Sequence, residues 1–252
     1  MKRFLFALLT WALLSSPALA GAITFVNKSV EVFGAGTSVT MNYPQALSAG
    51  AFAAAFLQYG GGNNGMSCVD TQSNSWVNLG FAQGVFAANV QTNYSFLTHA
   101  VTTSDSVTCT ALSGTTGILG HLGVWSNVNN FSSVNGYAGN ATTSAVNSLN
   151  TGVPGGNSQC STGTTGCALI ICNAFMRGGG TTQLDAAWTQ LTWGTSSNWA
   201  TGYIIQGNGT PHDCTGSYTG TADRMAIEQL TFNSTTGGGG STPMKAILHT
   251  VP

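Results

Sequence analysis

The sequence predicts an all-β protein: an antiparallel β-sandwich, jelly-roll-like, of about ten to twelve strands, braced by disulfides. Three observations carry that prediction. Short apolar or alternating runs are separated by clusters of Gly, Asn, Ser and Thr, and no sustained 3.6-residue apolar period follows the first twenty residues. Only 5% of the chain is charged, against about 25% in an ordinary soluble domain. Six cysteines, an even count, follow an export signal, which favours disulfides.

Residues 1–20 read as a signal peptide. Lys2 and Arg3 form the basic start, Phe4 to Leu14 the apolar run, and Ala18-Leu19-Ala20 the small-residue cleavage site. The apolar run is too short to span a bilayer, and no later stretch in the mature chain does. The expected product is exported to the medium, the cell surface or the periplasm. It keeps Lys28, Arg177, Arg224 and Lys245 against seven acids, a net charge of −3. With no basic patch, no nucleic-acid partner is expected.

The expected β-sandwich domain covers 21–233. Ile23 to Val26 opens it. Thr37 to Tyr43 alternates, with Val39, Met41 and Tyr43 on one face. Ala51 to Tyr59 is apolar on both faces, as a strand covered on both sides requires, and Gly-containing flanks limit it to strand length. Tyr94 to Val101 and Ser106 to Leu112 read as a pair joined by a turn, and Gly117 to Val128 as the next strand. Residues 129–166 are rich in Asn, Ser, Thr and Gly, and read as a long loop insertion with a short strand near Ala141 to Val146. Cys167 to Met176 is a second doubly covered strand. Ala186 to Trp193, Trp199 to Gln206 and Thr221 to Phe232 complete the set. Residues 234–252 read as a Gly-rich linker and tail.

Six cysteines allow fifteen pairings. Cys160 and Cys167 bracket a short Gly/Thr segment, which suggests a local bridge. Sequence order then leaves Cys68 with Cys109 and Cys172 with Cys214. A zinc site is the rival, but no CxxC is present, and His212 beside Cys214 is the one close His/Cys combination.

Several segments in order carry a resemblance: Ile23-Thr-Phe-Val26, Ser48-Ala-Gly-Ala-Phe-Ala-Ala-Ala-Phe-Leu-Gln-Tyr59, Cys68-Val-Asp-Thr-Gln-Ser-Asn-Ser-Trp76, Gly123-Val-Trp-Ser-Asn-Val128, Ala168-Leu-Ile-Ile-Cys172 and Asp223-Arg-Met-Ala-Ile-Glu-Gln-Leu-Thr-Phe232. This order resembles a group of secreted, uncharacterised bacterial β-sandwich domains. The resemblance covers about residues 23–232 and implies a jelly-roll-like sandwich outside the cytoplasm. It implies no activity and no binding residues.

Catalytic groups are scarce. Gly65-Met66-Ser67-Cys68-Val69 lacks the closing glycine of a nucleophile elbow. Asp70, Asp105 and Asp213 sit in turn-like contexts, where Asp bonds backbone amides. Glu228 reads as a solvent-facing or Arg-paired strand residue. No calcium loop, phosphate loop or other cofactor motif appears, and no catalytic residue is assigned.

Aromatic residues are the better lead. Trp188, Trp193, Trp199 and Tyr203 are close in sequence, with Gln190 and Asn198 among them. A flat ring stacks on the C–H face of a sugar while neighbouring amides take its hydroxyls. Trp188 and Trp193 differ in parity, so an unbroken strand places them on opposite faces. The expected function is a non-catalytic binding or adhesion module for carbohydrate or cell-surface polymer. A structural protein that self-associates and a secreted glycoside hydrolase are the alternatives.

Overall fold

The computed structural model describes residues 22–61, 65–80, 82–84, 88–112, 116–128, 136–142, 144–152, 168–178, 180–192, 198–206 and 212–233. Among the described residues the fold is all-β, with every strand pairing antiparallel. In chain order the first strands are β1 (Thr24–Lys28), β2 (Val32–Gly34), β3 (Ser38–Asn42), β4 (Phe52–Gly60), β5 (Met66–Asp70), β6 (Val77–Asn78), β7 (Ala82–Gly84), β8 (Ala88–Phe96), β9 (Ser106–Ala111) and β10 (Thr116–Ser126). They are followed by β11 (Gly136–Ala141), β12 (Ser148–Asn150), β13 (Ala168–Met176), β14 (Thr181–Leu184), β15 (Thr189–Thr192), β16 (Trp199–Gln206), β17 (Thr215–Thr219) and β18 (Met225–Asn233). The count exceeds the sequence expectation because pieces such as β2, β6 and β7 are too short to show a period of two. Among the described residues no helix is long and apolar enough to cross a membrane.

The strands form four sheets. Sheet A has the order β1-β10-β4-β8-β6, with β2 added on β10 and β7 on β8; sheet B is β3-β9-β5. Sheet C is β11-β18-β13-β16-β15, and sheet D is β12-β17-β14. Three apolar clusters stack them in the sequence B, A, C, D. Val39, Met41 and Val107 of sheet B meet Ala53, Leu57 and Leu122 of sheet A. The opposite face of sheet A presents Phe52, Phe56 and Trp125 to Ile171, Trp199 and Phe232 of sheet C. Ile170, Cys172 and Ala174 on the far face of sheet C meet Leu184 and Tyr218 of sheet D.

Sheets A and C are therefore covered on both faces, which is why β4 and β13 lack alternation. All nine residues of β13 are buried, as are the first six of β4. Small residues let the layers close. A Cβ on Gly123 would lie 2.5 Å from the Trp125 ring and 3.2 Å from that of Phe56. The outer sheets B and D keep one wet face, and β3 alternates exposed and buried as the sequence predicts.

Among the described residues two disulfides are present, Cys68–Cys109 and Cys172–Cys214, as sequence order suggests. Cys160 and Cys167 lie outside the described residues. Cys68 and Cys109 are direct cross-strand partners of β5 and β9. Cys172 of sheet C reaches Cys214 beside β17, tying two layers together across 42 residues of chain. Closing a loop of that size removes about 4 kcal/mol of unfolded-state entropy. Replacing both Cys172 and Cys214 with Ala is expected to cost about 3–4 kcal/mol, read as a lower urea midpoint. An unchanged midpoint would contradict the role of this bridge as a brace.

The segment 129–166, read from sequence as a loop insertion, contains β11 and β12. These strands carry Gly, Asn and Ser, so their strand character comes from pairing with β18 and β17 rather than from propensity.

Candidate functional site

Polar side chains are gathered where the two large sheets face each other. One row of sheet A runs His121–Phe56–Thr92 across β10, β4 and β8. The opposing row of sheet C runs Thr201–Asn173–Glu228 across β16, β13 and β18. Phe56 stacks on the His121 ring with centroids 4.9 Å apart, and Trp199 meets the same ring edge-on at 5.2 Å.

His121 Nε2 and Thr201 Oγ1 share a hydrogen bond of 2.8 Å. Trp199 Nε1 donates to Asn173 Oδ1 at 2.7 Å. Asn173 Nδ2 donates across the interface to the backbone carbonyls of Leu57 at 3.1 Å and Gln91 at 3.3 Å. Asn173 thus pins sheet C to the backbone of sheet A.

His121 and Glu228 are both sealed from solvent. Burial lowers the His121 pKa to about 3, and the nearby charge of Lys28 pushes the same way, so the imidazole is neutral. Burial raises the Glu228 pKa from 4.5 to about 8. The polar groups of Thr92 and Asn173 facing its carboxyl oppose that rise only in part. Neither Glu228 oxygen has a hydrogen bond of normal geometry. The acid is therefore protonated at neutral pH. The strand parity that suggested a solvent-facing Glu228 fails because both faces of sheet C are covered.

A second polar cluster closes one end of sheet B. Asp70 Oδ1 accepts from the backbone N–H groups of Gln72 and Asn74, and Oδ2 from Tyr43 Oη and Asn74 Nδ2. Asp105 accepts from Gln72, Thr71 and Thr102, which hold its carboxyl below the usual range. Both acids bind local donors, as their turn contexts predict, and act as loop anchors. Among the described residues no three His, Cys, Asp or Glu side chains converge to hold a metal ion.

The aromatic lead from sequence divides. Trp199 is fully buried and Trp188 is 6% exposed, so neither offers a ring face to solvent. Tyr203 is half-buried, stacked on Phe25 at 4.9 Å and edge-on to Trp125 at 5.7 Å. Gln190 and Asn198 are half-buried. Gln190 donates to the Leu184 carbonyl, and the Asn198 carbonyl accepts from Thr182 Oγ1. Trp193 lies outside the described residues.

The outward face of sheet B is a flat, uncharged grid. Ser38, Thr110 and Ser67 form one row across β3, β9 and β5, and Thr40, Thr108 and Val69 the next. Asn42 and Ser106 extend it. Ser106 and Thr108 are half-buried and the others exposed. Thr40 and Thr108 hydroxyls are 2.9 Å apart and hydrogen-bonded. Sheet D repeats the chemistry outward with Ser148, Ser217 and Gln183 in one row and Thr181 and Thr219 in another. The alternation of β3 was visible in sequence, but the assembly of these polar residues into one face was not.

No protein-family model matches the chain, and comparison with curated proteins gives no match.

Proposed function

We propose that the protein is an exported, non-catalytic binding or adhesion module that recognises carbohydrate or cell-surface polymer through uncharged hydroxyl and amide groups. The observation that carries this reading is the outward face of sheet B. It presents Ser38, Thr40, Asn42, Ser67, Thr108 and Thr110 on a rigid ladder, with Cys68–Cys109 locking its strands from beneath. Hydroxyls and amides both donate and accept, which suits a polymer of hydroxyl groups and needs no charge. The signal-like residues 1–20 and the disulfides support export.

A glycan array, followed by pull-down on insoluble polysaccharides, tests it. The wild-type protein is expected to bind, and Thr108→Glu to lose about tenfold in affinity, about 1.4 kcal/mol. Its thermal midpoint should be unchanged, because an outward strand position tolerates substitution. Absence of binding to any polymer, or equal binding by the variant, would sink the reading.

A structural protein that self-associates is the second reading. Exposed Val30, Phe33, Val69 and Leu112 favour it. A secreted glycoside hydrolase is a third and less favoured reading, since Glu228 is enclosed between two sheets.

A further inference from the structure

The strand order is repeated. Setting aside the short β2 and β7, one half of the chain runs β1, β3, β4, β5, β6, β8, β9, β10 and the other β11 to β18. Ranked from one to eight within each half, sheet A reads 1-8-3-6-5 and so does sheet C; sheet B reads 2-7-4 and so does sheet D. In each half the strand ranked fifth lies on the larger sheet.

The correspondence extends to residues. The row His121–Phe56–Thr92 occupies the strands ranked 8, 3 and 6 of its half, as Glu228–Asn173–Thr201 does in the other. Moving along the same strands, Trp125 then corresponds to Phe232 and Tyr94 to Tyr203. The contacts between halves are reciprocal. Trp125 meets Tyr203 edge-on at 5.7 Å and 80°, and Phe232 meets Tyr94 edge-on at 5.0 Å and 71°. His121 bonds Thr201, while Glu228 faces Thr92. Lys28 of β1 donates to the Leu191 carbonyl of β15, and Tyr137 of β11 packs beside Gly80, between β6 and β7. Contacts in which i meets j and j meets i are the mark of a two-fold, isologous interface.

Among the described residues the halves are joined by side-chain packing and side-chain hydrogen bonds, with no backbone ladder between them. Every strand ladder among the described residues stays within one half, and so do both described disulfides. We propose that the chain is an internally duplicated pair of eight-stranded units held by an intramolecular dimer interface. The surface concerned is the face of sheet A bearing Phe52, Phe56, Tyr94 and Trp125. Its partner is the second unit of the same chain, through the face of sheet C bearing Ile171, Trp199 and Phe232.

A cleavage experiment on the full chain tests this. A protease site replaces residues 130–134 and is cut after folding. The pieces are expected to co-elute in gel filtration, to separate in moderate urea with strand circular dichroism retained in both, and to rejoin on dilution. Pieces that part on cutting, or that lose their strand signal whenever they separate, overturn the duplication into two folding units.

Discussion

Glu228→Gln is expected to stabilise the protein above pH 8 and to flatten its stability profile on the alkaline side. The native state holds the Glu228 proton up to a pKa of about 8, whereas the unfolded chain releases it near 4.5. Between those values the native state binds more protons, so stability falls as pH rises, and the loss is complete above pH 8. His121 acts in the opposite sense. Its native pKa is about 3 against 6.5 for the free side chain, so stability rises with pH across that window. The two effects oppose each other between 4.5 and 6.5. Stability is therefore expected to peak there and to decline on both sides.

The Glu228 shift sets a ceiling of about 5 kcal/mol at about 1.4 kcal/mol per pKa unit. A realised gain of about 2–4 kcal/mol in the glutamine variant at pH 9 allows for relaxation and water entry. Tyr59 and Tyr137 lie within electrostatic reach of Glu228, and its ionised form further disfavours theirs. Urea denaturation of wild type and variant from pH 3 to 9 checks the prediction. Parallel curves above pH 7 would rule out Glu228 as the source of the alkaline loss.

Asn173→Ala is expected to cost about 3–5 kcal/mol, because it combines a cavity with orphaned polar groups. The side chain bridges Trp199 Nε1 on its own sheet to the Leu57 and Gln91 carbonyls on the facing one. Without it the buried indole N–H has no acceptor. Removing both polar partners avoids part of that penalty. The double variant Asn173→Leu, Trp199→Phe should therefore cost clearly less than its two single variants added together. Additive losses would show that the Asn173–Trp199 hydrogen bond carries no coupling.

Much of the architecture is legible in the sequence. Ala51 to Tyr59 and Cys167 to Met176 lack the period of two because both their faces are covered, and the structure places β4 and β13 in the two inner sheets. The pairings Cys68–Cys109 and Cys172–Cys214 agree with those that order along the chain suggests, and the structure selects them from the fifteen possible. Alternation in Thr37 to Tyr43 marks β3 as an outer strand. The candidate site was less legible. In the sequence Trp188 and Trp199 read more readily as packing than as recognition, and their depth decides it. Glu228 looks outward by strand parity because parity cannot reveal a second sheet on the other side.

The sequence alone determined that this chain makes strands and that some of them are covered twice. Local patterns suffice for these, since alternation, turn residues and spacing are local quantities. Only the tertiary structure decided that β11 and β12 complete a second unit, and that His121 and Glu228 occupy matching places in two halves. The physical reason is that equivalent positions are filled by unlike residues, Phe56 by Asn173 and Trp125 by Phe232. Strand order and reciprocal packing preserve the relation after side-chain identity has lost it.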